Sequence, residues 1–366
     1  GHIGTRVENY GMTGYEDVGA ASRYTAPTWF ANATWRRSIG GGTTLEARLN
    51  HFDRDERSEP YGGRDVPGVR LFGFTPPHAT FANAPITLRS APTSTSATAT
   101  GTFRFGLAGQ EQTLKVGGEY TRGRFLDRRT RNGGMTWLPM LGQGLDPADP
   151  ATWRDPDEGY TATEWGGEVR LDADVMNAAA FVQGAVSLGR LVLSPGLRWS
   201  VWQGWLTPTT GERFRAVSAR GLDPRIGAIL ELTADRSVVV KGHWGRYHQD
   251  LIAQMFDRAG GSDAFTNQEI WYYRGDPVAD PTRRFTPAER DALAEQGLFT
   301  RETVITLNET GPVVDYRQPY IDQWLVGVEK ELGDAVKLEA VYTRRTNHDM
   351  IALEIGRASC RERVYC

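Results

Sequence analysis

The sequence predicts an all-β chain, and within that class a partial transmembrane antiparallel β-barrel of about ten strands with short periplasmic turns and long extracellular loops. Three observations predict it. Apolar and polar residues alternate with period two through five long hairpins. Turns within the hairpins take a few residues, whereas the links between hairpins are long. No apolar run approaches the ~20 residues that a membrane-crossing helix needs, so a crossing must be made by strands in which only alternate residues meet lipid.

Each hairpin carries its own signal. The first, "TWFANATWRRSIGGGTTLEARLNHF", is the least regular and turns on three glycines. The second, "TFRFGLAGQEQTLKVGGEY", sets Phe103, Phe105, Leu107, Leu114, Val116 and Tyr120 on one face against Arg104, Lys115, Gly117 and Glu119. In the third, "AAAFVQGAVSLGRLVLSPGLRWSVWQGW", the chain turns at Gly189 and Arg190. It then opposes Leu191, Leu193, Leu197, Trp199 and Val201 to Ser194, Arg198, Ser200 and Trp202. "PRIGAILELTADRSVVVKGHWGRY" turns around Asp235, and "DQWLVGVEKELGDAVKLEAVYTRR" at Gly333 and Asp334, each with the same two-sided pattern. Trp205 lies about fifteen residues past the Gly189 turn, which at ~3.3 Å per residue and ~45° tilt places it near the far interface, where an aromatic girdle belongs.

A soluble β-sandwich also alternates apolar and polar residues. Strands running past ten residues, and aromatics gathered at strand ends, favour the membrane barrel. The expected long links are roughly 53–96, 126–161, 206–221 and 250–315. Composition adds 42 Gly, 11 Trp and 10% aromatic residues, while a net charge of −3 gives no electrostatic case for a nucleic-acid partner.

Both ends are abrupt. The chain opens "GHIGTRVENYG" without a readable signal peptide, and we read it as an internal fragment of a longer protein. Its only cysteines, Cys360 and Cys366, stand in "EIGRASCRERVYC". Residues Ile355 to Val364 are one reading frame of ATCGGAAGAGCGTCGTGTAGGGAAAGAGTG, which resembles a short-read sequencing adapter. We therefore expect residues 1–354 to be barrel and 355–366 to be a non-native tail, ahead of a basic terminal tail, a disulfide or a metal pair.

The hairpin phrases "QTLKVGGEY", "FVQGAVSLGRLVLSPGLRWSVW", "DPRIGAILELTADRSVVVKGHWGRYH" and "PYIDQWLVGVEKELGDAVKLEAVYTRR" resemble barrel segments of TonB-dependent outer-membrane receptors. They are most similar to the Oar-like branch, whose members carry a carboxypeptidase-regulatory-like domain. The likeness spans Thr102 to Met350 and departs from the family's "FVQDxW" phrase at Phe181 to Val186. It implies a 22-stranded barrel in the outer membrane of a Gram-negative-type bacterium, closed by a plug. It further implies outer-membrane lipid and the TonB complex as partners, the latter through a missing N-terminal region. The implied function is energised uptake of a small or oligomeric nutrient, such as a carbohydrate, a peptide or a metal chelate. Two other readings stay open: a structural or adhesive barrel without active transport, and a soluble carbohydrate-binding sandwich.

Candidate ligand contacts follow from the longest loop, because binding residues concentrate on loops held by a rigid scaffold. There "NQEIWYYRGDP" offers Trp271, Tyr272, Tyr273 and Arg274, to which we add Trp202; the alternative is that these aromatics pack the loop onto its neighbours. "FTPAERDALAEQG" predicts a short helix, capped by Thr286 and Glu289, begun by Pro287 and ended by Gly297. His243 and His248, five apart on a strand, should face opposite sides and share no metal. Asp155, Asp157 and Glu158 read as a solvated acidic turn before a calcium site. No nucleophile elbow, P-loop or zinc-protease motif occurs, so neither catalysis nor a cofactor is expected.

Overall fold

The structure, a computed structural model, describes residues 2–4, 6–10, 18–71, 80–107, 109–140, 145–146, 148–207, 212–256, 268–305, 316–333 and 336–350. The tail at 355–366 lies outside them.

Ten long strands follow one another as an antiparallel meander: β1 Thr28–Ile39, β2 Thr43–Arg54, β3 Ile86–Leu107, β4 Gln110–Arg131, β5 Val169–Leu188, β6 Leu191–Thr207, β7 Phe214–Glu231, β8 Val238–His248, β9 Tyr320–Leu332 and β10 Val336–His348. The short strand His2–Ile3 pairs with the outer edge of β1. Among the described residues β10 gains no further neighbour, so the sheet does not close. Five hairpins stand where alternation places them. Gly189 adopts φ 64 at the first central position of the β5–β6 turn, as a type II′ hairpin requires.

Register carries the pattern from strand to strand. Val116 pairs with Val182 and Val182 with Leu197; Ile226 pairs with Trp244 and Trp244 with Trp324. One face of the sheet therefore collects the apolar residues, and among the described residues nothing covers them: Leu197 is 42% exposed, Trp324 53% and Tyr342 65%. The other face collects ion pairs, with Arg36 and Arg48 on Glu46, Arg198 on Glu119, and Lys241 and Lys337 on Glu329. Among the described residues no second sheet lies over the apolar face, as a sandwich requires.

The apolar face also has an upper limit. From the β3–β4 turn to Tyr120 is eleven residues, or about 26 Å of height at ~3.3 Å per residue and ~45° tilt, close to the ~25 Å apolar band of a membrane barrel. Just above Tyr120 the same face becomes ionic: Arg122 and Arg213 meet Asp174, and Arg124 meets Asp172. Trp205 sits at that border, paired in register with Asp174 and with Arg213 5.5 Å from its ring. This is the interface position expected of it.

Strands run past the border. β3 and β4 each have 22 residues, about 51 Å of height by the same arithmetic, so about 25 Å projects beyond the apolar band. The links are correspondingly shorter than the sequence suggests. The expected link at 206–221 contracts to 208–213, because β6 reaches Thr207 and β7 resumes at Phe214. The β3 extension, "ITLRSAPTSTS", carries mostly small and hydroxylated residues on both faces; without lipid there is no apolar parity to mark it as a strand.

Candidate functional site

The three remaining long links, 55–85, 132–168 and 249–319, leave the end of the sheet opposite the tight turns. Glu56–Pro60 pairs with Ser22–Thr25 and β3 in the main sheet, and the other described strands of these links form one second sheet. Its order is Phe299–Ile305, Gln268–Tyr273, Thr161–Trp165, Met135–Leu138, Gly68–Arg70 and Thr80–Phe81. All pairs are antiparallel except that of Met135–Leu138 with Gly68–Arg70. Separate loops are thus joined into a single cap.

A buried triad anchors the cap to the barrel rim. Arg131, the last residue of β4, donates to Thr136 at 2.7 Å and to Glu164 at 3.0 Å, and Arg70 donates to the same carboxylate at 2.6 Å. The side chains of Arg131 and Glu164 are 2% and 5% exposed. Two buried asparagines complete the joint. Asn132 accepts from Thr87 and donates to the Ala84 carbonyl, while Asn83 donates to the carbonyls of Gly63 and Val66. Removing one member of such a network leaves buried polar groups without partners.

The period of two divides the predicted binding residues. Trp271 and Tyr273 point to one face of the cap, where they pack with Met135, Trp137, Trp165, Phe285 and Phe299 beneath α1, Pro287–Glu295. Arg290 of α1 lies 4.4 Å from the Trp271 ring centroid and 4.9 Å from that of Trp165, and Trp271 donates its indole N–H to Glu269 at 2.7 Å. Tyr272 points to the other face, where it stacks on Tyr160 at 3.8 Å and 15°. Arg274 is exposed, stands 5.3 Å from the Tyr160 ring and donates to the Glu158 carbonyl. These four neighbours therefore do not share one surface. Burial and the adjoining Tyr272 push the Tyr160 phenol up to about 12, and burial also raises Tyr273.

The α1 helix forms as its sequence requires. Thr286 accepts from the Glu289 amide at 3.2 Å and Glu289 accepts from the Thr286 amide at 2.7 Å; Gly297 follows with φ 75. The hydrogen bonds from Thr286 hold the Glu289 carboxyl below its ordinary range.

Trp202 lies elsewhere, on the charged face of the main sheet above the ion pairs. There a segment of the third link, 249–256, folds back over β4–β7 and seals a cluster of Phe125, Leu171, Val175, Trp202, Leu206 and Phe256. Trp202 is 1% exposed and donates to Asp250 at 3.0 Å. Asn177 holds the segment from both sides, donating to the Leu251 carbonyl at 2.9 Å and accepting from its amide at 3.1 Å. Gly204 leaves the space that Phe256 fills; a Cβ there would stand 2.5 Å from its ring. Sequence reading missed this strap, because "QDLIAQMF" carries no period and its anchor Asn177 is 74 residues away.

The two histidines need a correction. Pairing of β7 with β8 stops at Arg225 and Gly245, and the last residues of β8 pair with β9 alone, so strict alternation ends there. Both rings reach the charged face, His243 bonding Tyr247 and His248 bonding Asp223. They hold separate partners, and no cluster of three metal-ligating side chains occurs among the described residues. Asp155 accepts from the amides of Asp157 and Glu158, closing its own turn.

No family model matches the chain, and no curated protein matches it significantly. Among solved structures it is similar to the outer membrane transporter YddB of Escherichia coli, with TM-score 0.56 and 12% identity over 95% of this chain and 37% of that one. The fold is that of part of an outer-membrane β-barrel. Weaker likenesses include the ferric citrate transporter FecA (TM-score 0.46, 9% identity, 89% of this chain and 43% of that one). Another is the ferripyoverdine receptor of the outer membrane of Pseudomonas aeruginosa (0.41, 14%, 90% and 42%). The chain thus spans well under half the length of these proteins. In a barrel wall of this kind the apolar face meets lipid, the ion-paired face lines the lumen, and the cap stands over one mouth.

Proposed function

We propose that the chain is part of the barrel wall of a TonB-dependent receptor of the Oar-like branch, serving energised uptake of a nutrient across the outer membrane of a Gram-negative-type bacterium. The observation that carries this reading is the outward face: apolar for about 26 Å up to Tyr120, then ionic at Arg122, Asp174 and Arg213, with Trp205 standing among those charges. The open sheet of ten long strands supports reading residues 1–354 as a fragment of a larger barrel, with plug, TonB box and remaining strands elsewhere in the protein and 355–366 as adapter-derived sequence. Outer-membrane lipid and the TonB complex are then its partners. Carbohydrate, peptide or metal chelate is the cargo class, for which Arg274 at the cap edge and the half-buried Tyr272 and Tyr273 are the candidate contacts. Trp202 and Trp271, sequence candidates too, are buried in their clusters and pack the strap and the cap.

The test is to recover the complete gene by long-read sequencing, express it, fractionate the membranes, and follow growth on a panel of those nutrients with and without an uncoupler. Outer-membrane recovery with uptake that collapses when the proton gradient is dissipated is expected. Recovery in the soluble fraction overturns the reading; outer-membrane recovery with uncoupler-insensitive growth leaves a structural or adhesive barrel.

A further inference from the structure

The two half-buried cations Lys115 and Arg225 lack the close carboxylate partner that Arg36, Arg198, Lys241 and Lys337 have on the same face. Lys115, on β4, has no hydrogen bond or ion pair among the described residues; its ammonium lies 5.9 Å from the Phe181 ring. Arg225, on β7, stacks 4.4 Å from the Tyr247 ring, has Asp223 no nearer than 4.0 Å, and buries an Nε that finds no acceptor. Asp223 is itself engaged by His248. A buried guanidinium N–H without an acceptor is an unmet demand for one.

Both cations line the same recess. Two adjoining cavities of about 170 and 370 Å³ share Lys115, Gln183, Gly196 and Arg225. Lys115, Arg198 and Arg225 line them against the single carboxylate of Glu119, which Arg198 already holds at 2.6 Å. The rings of Phe181 and Tyr247 wall the recess, and Thr113, Ser194 and His243 add hydrogen-bonding groups. A flat anion fits this surround, since a guanidinium fork matches a carboxylate in plane.

We propose that this recess is an anion seat in the lumen that takes a carboxylate group between Lys115 and Arg225. That carboxylate comes either from a diffusible ligand or from another segment of the same barrel protein. The diffusible source rests on the transporter reading; the seat itself does not.

The test uses the complete, detergent-solubilised protein, with succinate as probe and its neutral diamide as control. For a diffusible source, succinate binds and raises the unfolding midpoint while the diamide does neither. Lys115→Met and Arg225→Gln each weaken succinate binding about tenfold or more, and Lys115→Arg retains it. For a built-in carboxylate, wild type ignores succinate, both neutral variants unfold earlier, and Lys115→Arg unfolds with wild type. Indifference to succinate, together with unchanged unfolding of both neutral variants or with equal loss in Lys115→Arg, overturns the seat. Should the protein fail to fractionate with the outer membrane, the transporter reading falls, while the succinate contrast in detergent still decides the seat.

Discussion

Replacing Leu197 with arginine separates a lipid-facing wall from one that faces water. Leu197 lies six residues from Leu191 at the β5–β6 turn, about 14 Å of height at ~3.3 Å per residue and ~45° tilt, near the middle of a ~30 Å hydrocarbon core. On the lipid face at that depth an arginine costs about 2–4 kcal/mol, roughly a thirty- to several-hundred-fold loss in the folding equilibrium. In water the same change at a side chain already 42% exposed would fall within about 0.5 kcal/mol. Thr100→Arg is the matched control: it lies at similar depth on the charged face, directly opposite Glu46, and should cost under about 1 kcal/mol. The assay is reversible urea unfolding of the complete protein in phospholipid vesicles. Equal, small effects from the two variants would refute the assignment of faces.

Asn177→Ala removes both bonds to the Leu251 backbone, so hydrogen exchange and protease cleavage at 249–256 should rise several-fold while the membrane strands stay protected. Gly204→Ala should displace Phe256 from the same cluster, read as a change in fluorescence of Trp202, now more open to water, relative to a Trp202→Phe background. Thr286→Ala should destabilise α1 locally by about 1 kcal/mol. Because Glu289 is held below its ordinary value, its capping contribution is fully present above the unfolded carboxylate value near ~4.3 and is lost as pH falls through the lower folded one, measurable as faster exchange in 287–295 in acid. Tyr160, held near 12, contributes in the opposite sense: cap stability is intact below the unfolded phenol value of ~10 and is lost as pH rises toward the folded value, which ultraviolet titration of Tyr160→Phe against wild type would register.

Legibility followed the solvent. Inside the lipid band every second residue must be apolar, so β4 to Tyr120, β6, β9 and β10 could be read directly, and the β5–β6 turn was placed to the residue. Above the band both faces meet water, and the reading failed there: the first eleven residues of β3 and the start of β7 pass for loop until their register with neighbours is known. The helix α1 was legible because its cap is local, with Thr286 and Glu289 three residues apart. For Trp271 to Arg274 the residues were visible but their sides were not, since only pairing with Thr161–Trp165 makes them a strand and sends neighbours to opposite faces.

The sequence by itself determined the two-faced wall, its hairpins and its tight turns, because alternation and turn chemistry act between residues a few positions apart. Tertiary structure alone decided that three loops join into one cap, that Arg131 meets Glu164 and Arg70, that 249–256 returns over Trp202, and that Lys115 and Arg225 face one recess. Each of those contacts links distant segments brought together by strand register, and register is a property of the whole sheet.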